Sequence, residues 1–126
     1  MAFFGIGHTL ATALETAERL AIEGLQAAVY SVPTLQPLDR VTVLDIARRS
    51  RLLISIEEHG AGGLGTILAE ILAGSGLPAR LVRKFLDKPE LMPAGSREYL
   101  LERQGLDAEG IFRTAVSLGA NENTTN

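Results

Sequence analysis

Strands alternating with helices along a single stretch of 126 residues predict an α/β domain, a sheet covered on both faces by helices as a three-layer α/β/α sandwich. Two further observations agree. The run Leu52-Leu53-Ile54-Ser55-Ile56 is almost continuously apolar, as expected of a strand buried on both faces. Aromatic residues make up only 5% of the chain and Trp is absent, so the core must be built from Leu, Ile, Val and Ala. The length suits one domain with one core and leaves no room for a second catalytic domain.

In chain order, Phe3-Phe4-Gly5-Ile6 reads as a short first strand. A helix over His8–Glu23 follows, with Leu10, Leu14, Ala17 and Ala21 as its apolar stripe. Gly24 suits the left-handed position that stops it. Leu25–Val32 is the next strand, and Pro33 to Pro37 is irregular because each proline removes a donor and restricts its predecessor. Asp39 reads as an N-cap, with Leu38 and Val43 placed as a hydrophobic staple. That helix closes with Arg48-Arg49-Ser50-Arg51, a cluster that could bind an anion but more simply complements the dipole of a helix C-terminus. After the central strand, Leu64, Ile67, Leu68, Ile71 and Leu72 form a helical stripe that Gly74-Ser75-Gly76 breaks. Ala79–Phe85 carries Arg80, Arg83 and Lys84 and therefore reads as a strand near an edge or partner surface. Ser96 caps a helix ended by Gly105, and Asp107 caps a last helix to about Leu118. Residues 1–120 are expected to form the domain, and 121–126 a disordered polar tail.

Composition excludes several classes. The formal charge of −3 argues against a nucleic-acid or anionic-membrane binder. No cysteine is present, so there is neither a disulfide framework nor a thiolate metal site. Two His with scattered carboxylates argue against a structural zinc site. No signal sequence or membrane span is apparent, which reads as a cytoplasmic protein.

The segment Glu57-Glu58-His59-Gly60-Ala61-Gly62-Gly63-Leu64-Gly65 stands between the central strand and the next helix, where chemistry is most expected. Gly60, Gly62 and Gly65 satisfy the spacing G-x-G-x-x-G, and Asp87 falls near the place of a ribose-binding acid. A phosphate cradle needs free amides at a helix N-terminus without negative charge beside them. Glu57 and Glu58 supply that charge, and the motif follows the third strand instead of opening the unit. The plainer role is structural: Gly60, Gly62 and Gly63 allow a tight turn, and Gly65 lets the helix pack closely on the sheet. Glu57 and Glu58 alternate across the strand and cannot form an acid/base pair. His59 lies at a strand C-terminus and could face a substrate entrance, a partner domain or solvent. His8 begins a helix, and no serine sits on a nucleophile elbow.

Taken together, Ala13-Leu14-Glu15-Thr16-Ala17 with Leu20, then Pro33-Thr34-Leu35-Gln36-Pro37-Leu38-Asp39, then Ile56-Glu57-Glu58-His59 with Gly62-Gly63-Leu64-Gly65, then Gly105-Leu106-Asp107, follow a characteristic order. This order resembles the C-terminal domain of the transketolase superfamily, over about Phe3 to Leu118, and the Glu-Glu-His form is most like split transketolases. The resemblance implies a mixed sheet of about five strands with the first antiparallel. It also implies a role in supporting a dimer and packing on the thiamine-binding domains. Thiamine diphosphate and Mg²⁺ would be held there and not by this chain, which has no Gly-Asp-Gly signature. The expected partners are a second copy, or the catalytic domains or subunit, and neither nucleic acid nor membrane. On this reading no catalytic, cofactor-binding or metal-binding residue is assigned, and the chain is inactive by itself in ketol transfer between sugar phosphates. Arg83-Lys84-Phe85-Leu86 departs from the family pattern after the fourth strand. An independent nucleotide- or anion-binding module using the Gly60–Gly65 loop is the alternative.

Overall fold

The computed structural model describes residues 1–33, 35, 38–58, 62–86 and 95–123. Strand β1 (Ala2–Gly5) leads into helix α1 (Thr9–Ile22), β2 (Ala28–Ser31), α2 (Arg40–Arg49), β3 (Leu52–Ile56), α3 (Leu64–Ala73) and β4 (Arg80–Lys84). Helices α4 (Arg97–Arg103) and α5 (Ala108–Asn123) complete the chain. The described strands form one sheet of four, in the order β2-β1-β3-β4.

Every pairing in that sheet is parallel, including β1 with β2 and β1 with β3. The expectation of an antiparallel first strand is therefore corrected for Phe3–Phe4, as is the count of about five strands among the described residues. The reason lies in the connection: α1 carries the chain back along the sheet, so β2 can only re-enter in the direction of β1.

Alternation along the strands divides the core in two. Ala2, Phe4 and Leu53 face α2 and α3, where Val43, Ile46, Leu68 and Ile71 cover them. Phe3, Leu52, Ile54 and Ile56 face the other way, onto Ala13, Leu20, Ile111 and Ala115 of α1 and α5. This is the three-layer arrangement expected. All five residues of β3 are buried, as its apolar run predicts.

The helix boundaries follow local chemistry. The Asp39 carboxylate accepts the Thr42 amide at 3.1 Å and its hydroxyl at 2.7 Å, and Leu38 and Val43 pack into one cluster as a staple. Ser96 accepts from the Tyr99 amide and Asp107 from the Gly110 amide. Gly24 adopts φ +78° after α1. Two expectations are revised. The buried face of α1 is Thr9, Ala13, Thr16 and Leu20, and Leu14 is 49% exposed. Thr16 tolerates burial because its hydroxyl donates to the Thr12 carbonyl at 2.8 Å, leaving no unmet donor. Helix α5 runs on to Asn123 instead of stopping near Leu118.

Candidate functional site

Open α/β sheets bind ligands at the carboxyl ends of the strands, where neighbouring strands send their connections to opposite sides. Here that switch falls between β1 and β3: β1 leads through α1 to β2, and β3 leads through α3 to β4 on the other side. Of the residues singled out from the sequence, Glu57, Glu58, Gly62, Gly63 and Gly65 lie at the β3 side of this crevice.

Glu57 follows β3 directly and is only 2% exposed. Its main-chain N–H donates to the Lys84 carbonyl at 3.0 Å, which continues the strand's pairing by one residue. Alternation then turns its side chain toward α3, to the same face as Leu53 and Ser55. Its Oε1 accepts the Leu64 amide at 2.9 Å and its Oε2 accepts the Gly65 amide at 2.5 Å. Those amides belong to the first turn of α3, whose N-cap residue Gly63 offers no side chain of its own. A buried carboxylate in charge-assisted hydrogen bonds thus sits where a bound phosphate would sit in a nucleotide cradle.

The glycines fit this arrangement closely. A Cβ on Gly63 would lie 2.0 Å from Glu57 Oε1. Gly62 takes φ +95°, and its amide donates to Thr66 Oγ1 at 2.9 Å. A Cβ on Gly65 would meet Arg83 Nε at 2.8 Å and Ser55 Oγ at 2.9 Å, so its absence sets the close approach of α3 to the sheet. Arg83 Nη2 donates to Thr66 Oγ1 from the other side at 2.9 Å.

On the β1 side, the Thr9 hydroxyl accepts the Ile6 amide at 2.9 Å and lies 2.7 Å from the Ile56 carbonyl, to which it can donate. It ties the end of β1 to the end of β3. His8, beside it, is exposed and gives no side-chain cap to α1. Among the described residues, the Leu64 and Gly65 amides that would face a phosphate are taken by Glu57, so this end of α3 does not fit a diphosphate.

Glu58 points away from Glu57 and forms an ion pair with Arg97 of α4, so the two carboxylates are separated as alternation requires. His59 and Gly60 of the predicted loop, and Asp87, lie outside the described residues. Among the described residues no group of three or more His, Cys, Asp and Glu side chains could hold a metal, and no helix is long and apolar enough to cross a membrane.

Among the described residues, two carboxylates outside the Glu57 contacts are held below their ordinary values. Hydrogen bonds from the Thr42 side chain and then its amide hold Asp39 below the ordinary aspartate value. Glu109 on α5 is lowered by the hydrogen bond from Arg19 and then by that from Arg113, at 2.5 and 2.9 Å.

Sequence reasoning placed Glu57 beside the loop as a repelling charge and missed that it is the helix cap. The signal was present: a strand-end Glu in phase with Leu53 and Ser55, followed by glycines that leave room for its carboxylate.

Similarity to known proteins extends over most of the chain. Residues 1–111 match the family model described as "Transketolase, C-terminal domain". One of the subunits of the apulose-4-phosphate transketolase of Actinobacillus succinogenes is 31% identical over 119 residues, 94% of this chain and 38% of that protein. The 1-deoxy-D-xylulose-5-phosphate synthase of Syntrophotalea carbinolica is 38% identical over 109 residues, 86% of this chain and 17% of that one. Among solved structures, a split gene transketolase described as an inactive beta4 tetramer superposes with a TM-score of 0.83 at 30% identity. The superposition covers 92% of this chain and 38% of that one. The chain spans well under half the length of these relatives. With the match covering most of its residues, it belongs to the transketolase C-terminal domain family.

Proposed function

We propose that this chain is the scaffold portion of a thiamine-diphosphate-dependent transketolase-like enzyme, silent in catalysis by itself. It supports self-association and packs on the domains that hold thiamine diphosphate and Mg²⁺. The parent reaction is transfer of a two-carbon ketol unit between sugar phosphates. One observation carries this reading: the seat at the α3 amino end, the natural anion site of the fold, is filled by the buried Glu57 carboxylate. Both of its oxygens hold α3 to the sheet.

The experiment is reconstitution. The chain is assayed alone with thiamine diphosphate, Mg²⁺ and sugar phosphates, then after mixing with a separately expressed polypeptide bearing the thiamine-binding domains of the same enzyme. Ketol transfer only in the mixture supports the scaffold role. Turnover by the chain alone, or no assembly with that polypeptide, overturns it. The nucleotide-module alternative has its own readout, because NAD would then raise the melting temperature saturably by binding the folded state.

A further inference from the structure

Strand β4 ends the sheet opposite β2, and its outer edge has no strand partner among the described residues. The Arg80 amide donates to the Arg51 carbonyl at 2.8 Å, and the Lys84 carbonyl accepts the Glu57 amide at 3.0 Å. Residues 80 and 84 therefore turn their main-chain groups toward β3. By alternation, Leu81 and Arg83 turn their N–H and C=O outward, toward the open edge.

This edge is cationic in a chain whose formal charge is −3. Among the described residues, Arg80, Arg83 and Lys84 pair with no carboxylate. The Arg83 guanidinium reaches Thr66 and lies 5.1 Å from the Phe85 ring centroid, yet it meets no anion. The opposite edge strand, β2, is Ala-Val-Tyr-Ser and carries no charge. Beside β4 runs a groove of about 490 Å³, lined by Leu72, Leu77, Ala79, Leu81 and Arg83.

A second β4 is a poor occupant. Antiparallel pairing of two copies about Val82 would set Arg80 of each against Lys84 of the other, and like charges placed opposite are destabilising. A segment carrying carboxylates gains where a second copy loses.

We propose that the β4 edge docks an extended, acidic segment by strand addition, its main chain pairing with Leu81 and Arg83 and its carboxylates meeting Arg80, Arg83 and Lys84. This inference rests on the scaffold reading, and its occupant is a segment of the polypeptide that bears the thiamine-binding domains.

The test measures binding of that polypeptide, as the probe, to the wild-type chain, to the double variant Arg80→Glu with Lys84→Glu, and to Leu81→Pro, which removes an outward N–H. Melting curves of each chain alone confirm folding. Wild-type binding that weakens with added salt, and an increase in Kd of about tenfold or more in the folded charge-reversed variant, is the expected result. Leu81→Pro is expected to weaken binding with little change in salt dependence. Equal binding by wild type and the folded double variant overturns the inference while leaving the scaffold reading intact, the cations then serving only to guard the edge against aggregation. Failure of the wild type to bind at all overturns both.

Discussion

Glu57 closes onto Gly65 across eight positions of the chain, its Oε2 accepting the Gly65 amide at 2.5 Å while Oε1 holds Leu64. Strand end and helix start are thereby joined through one carboxylate, buried with both oxygens in use. Replacing it with Gln removes the charge and sets an amide N–H₂ against a main-chain N–H. Glu57→Gln is expected to destabilise the domain by about 1–3 kcal/mol in urea denaturation, and Glu57→Ala by about 2–4 kcal/mol. A loss below about 0.5 kcal/mol for the Ala variant would contradict the capping role.

Glycines on either side of α3 should separate by mechanism. Gly63→Ala drives a methyl into the Glu57 carboxylate, whereas Gly76, with φ +71° and open space around it, pays only for its backbone conformation. Gly76→Ala is expected to cost about 1–2 kcal/mol. Gly63→Ala should cost clearly more, and in the background of Glu57→Ala most of that excess should vanish, because the clash partner is gone. Thermal melting of the cycle decides it.

Acid stability should track the lowered carboxylates. Glu109 and Asp39 have folded-state pKa values below their unfolded ones. Each therefore contributes stability that is present at neutral pH and lost as pH falls below the ordinary carboxylate range through the folded value. Both are exposed, so the contribution is small and screened by salt. Glu109→Gln with Asp39→Asn is expected to flatten the acid limb of the stability curve below about pH 4 while leaving its slope above pH 6 unchanged. An unaltered acid limb would show that other carboxylates control it.

Nucleotides should leave the protein untouched. With the α3 amino end filled by Glu57, millimolar NAD or ATP is expected to shift the melting temperature by no more than matched ionic strength does. A saturable rise would reopen the cradle reading.

Much of the architecture is readable from local chemistry. Asp39, Ser96 and Asp107 announce helix starts because a short acceptor before an apolar stripe has few other uses, and all three accept first-turn amides here. The apolar run at 52–56 announces a strand buried on both faces. Strand direction is less readable: Phe3–Phe4 has the same pattern in either sense, and only the α1 crossover makes it parallel. The α1 face was misjudged at Leu14 because hydrophobicity ranks Leu above Thr16, and a hydroxyl that bonds its own helix escapes such a ranking. The same blindness hid Glu57, a charge whose cost of burial is offset by partners seven and eight residues later. Arg83 marks an edge strand in the sequence, but its hydrogen bond to Thr66 and its place against Gly65 emerge only once the sheet is formed.

The carboxylate that spans from strand to helix has a dynamic consequence. The amide protons of Leu64 and Gly65 belong by position to a helix end, where fraying normally lets solvent deuterium in quickly. Tethered to the end of β3, they can be released only when that strand end lets go as well. Strand β3 and the first turn of α3 should therefore open as one cooperative unit, and their amides should exchange on the timescale of the sheet centre instead of that of a frayed terminus.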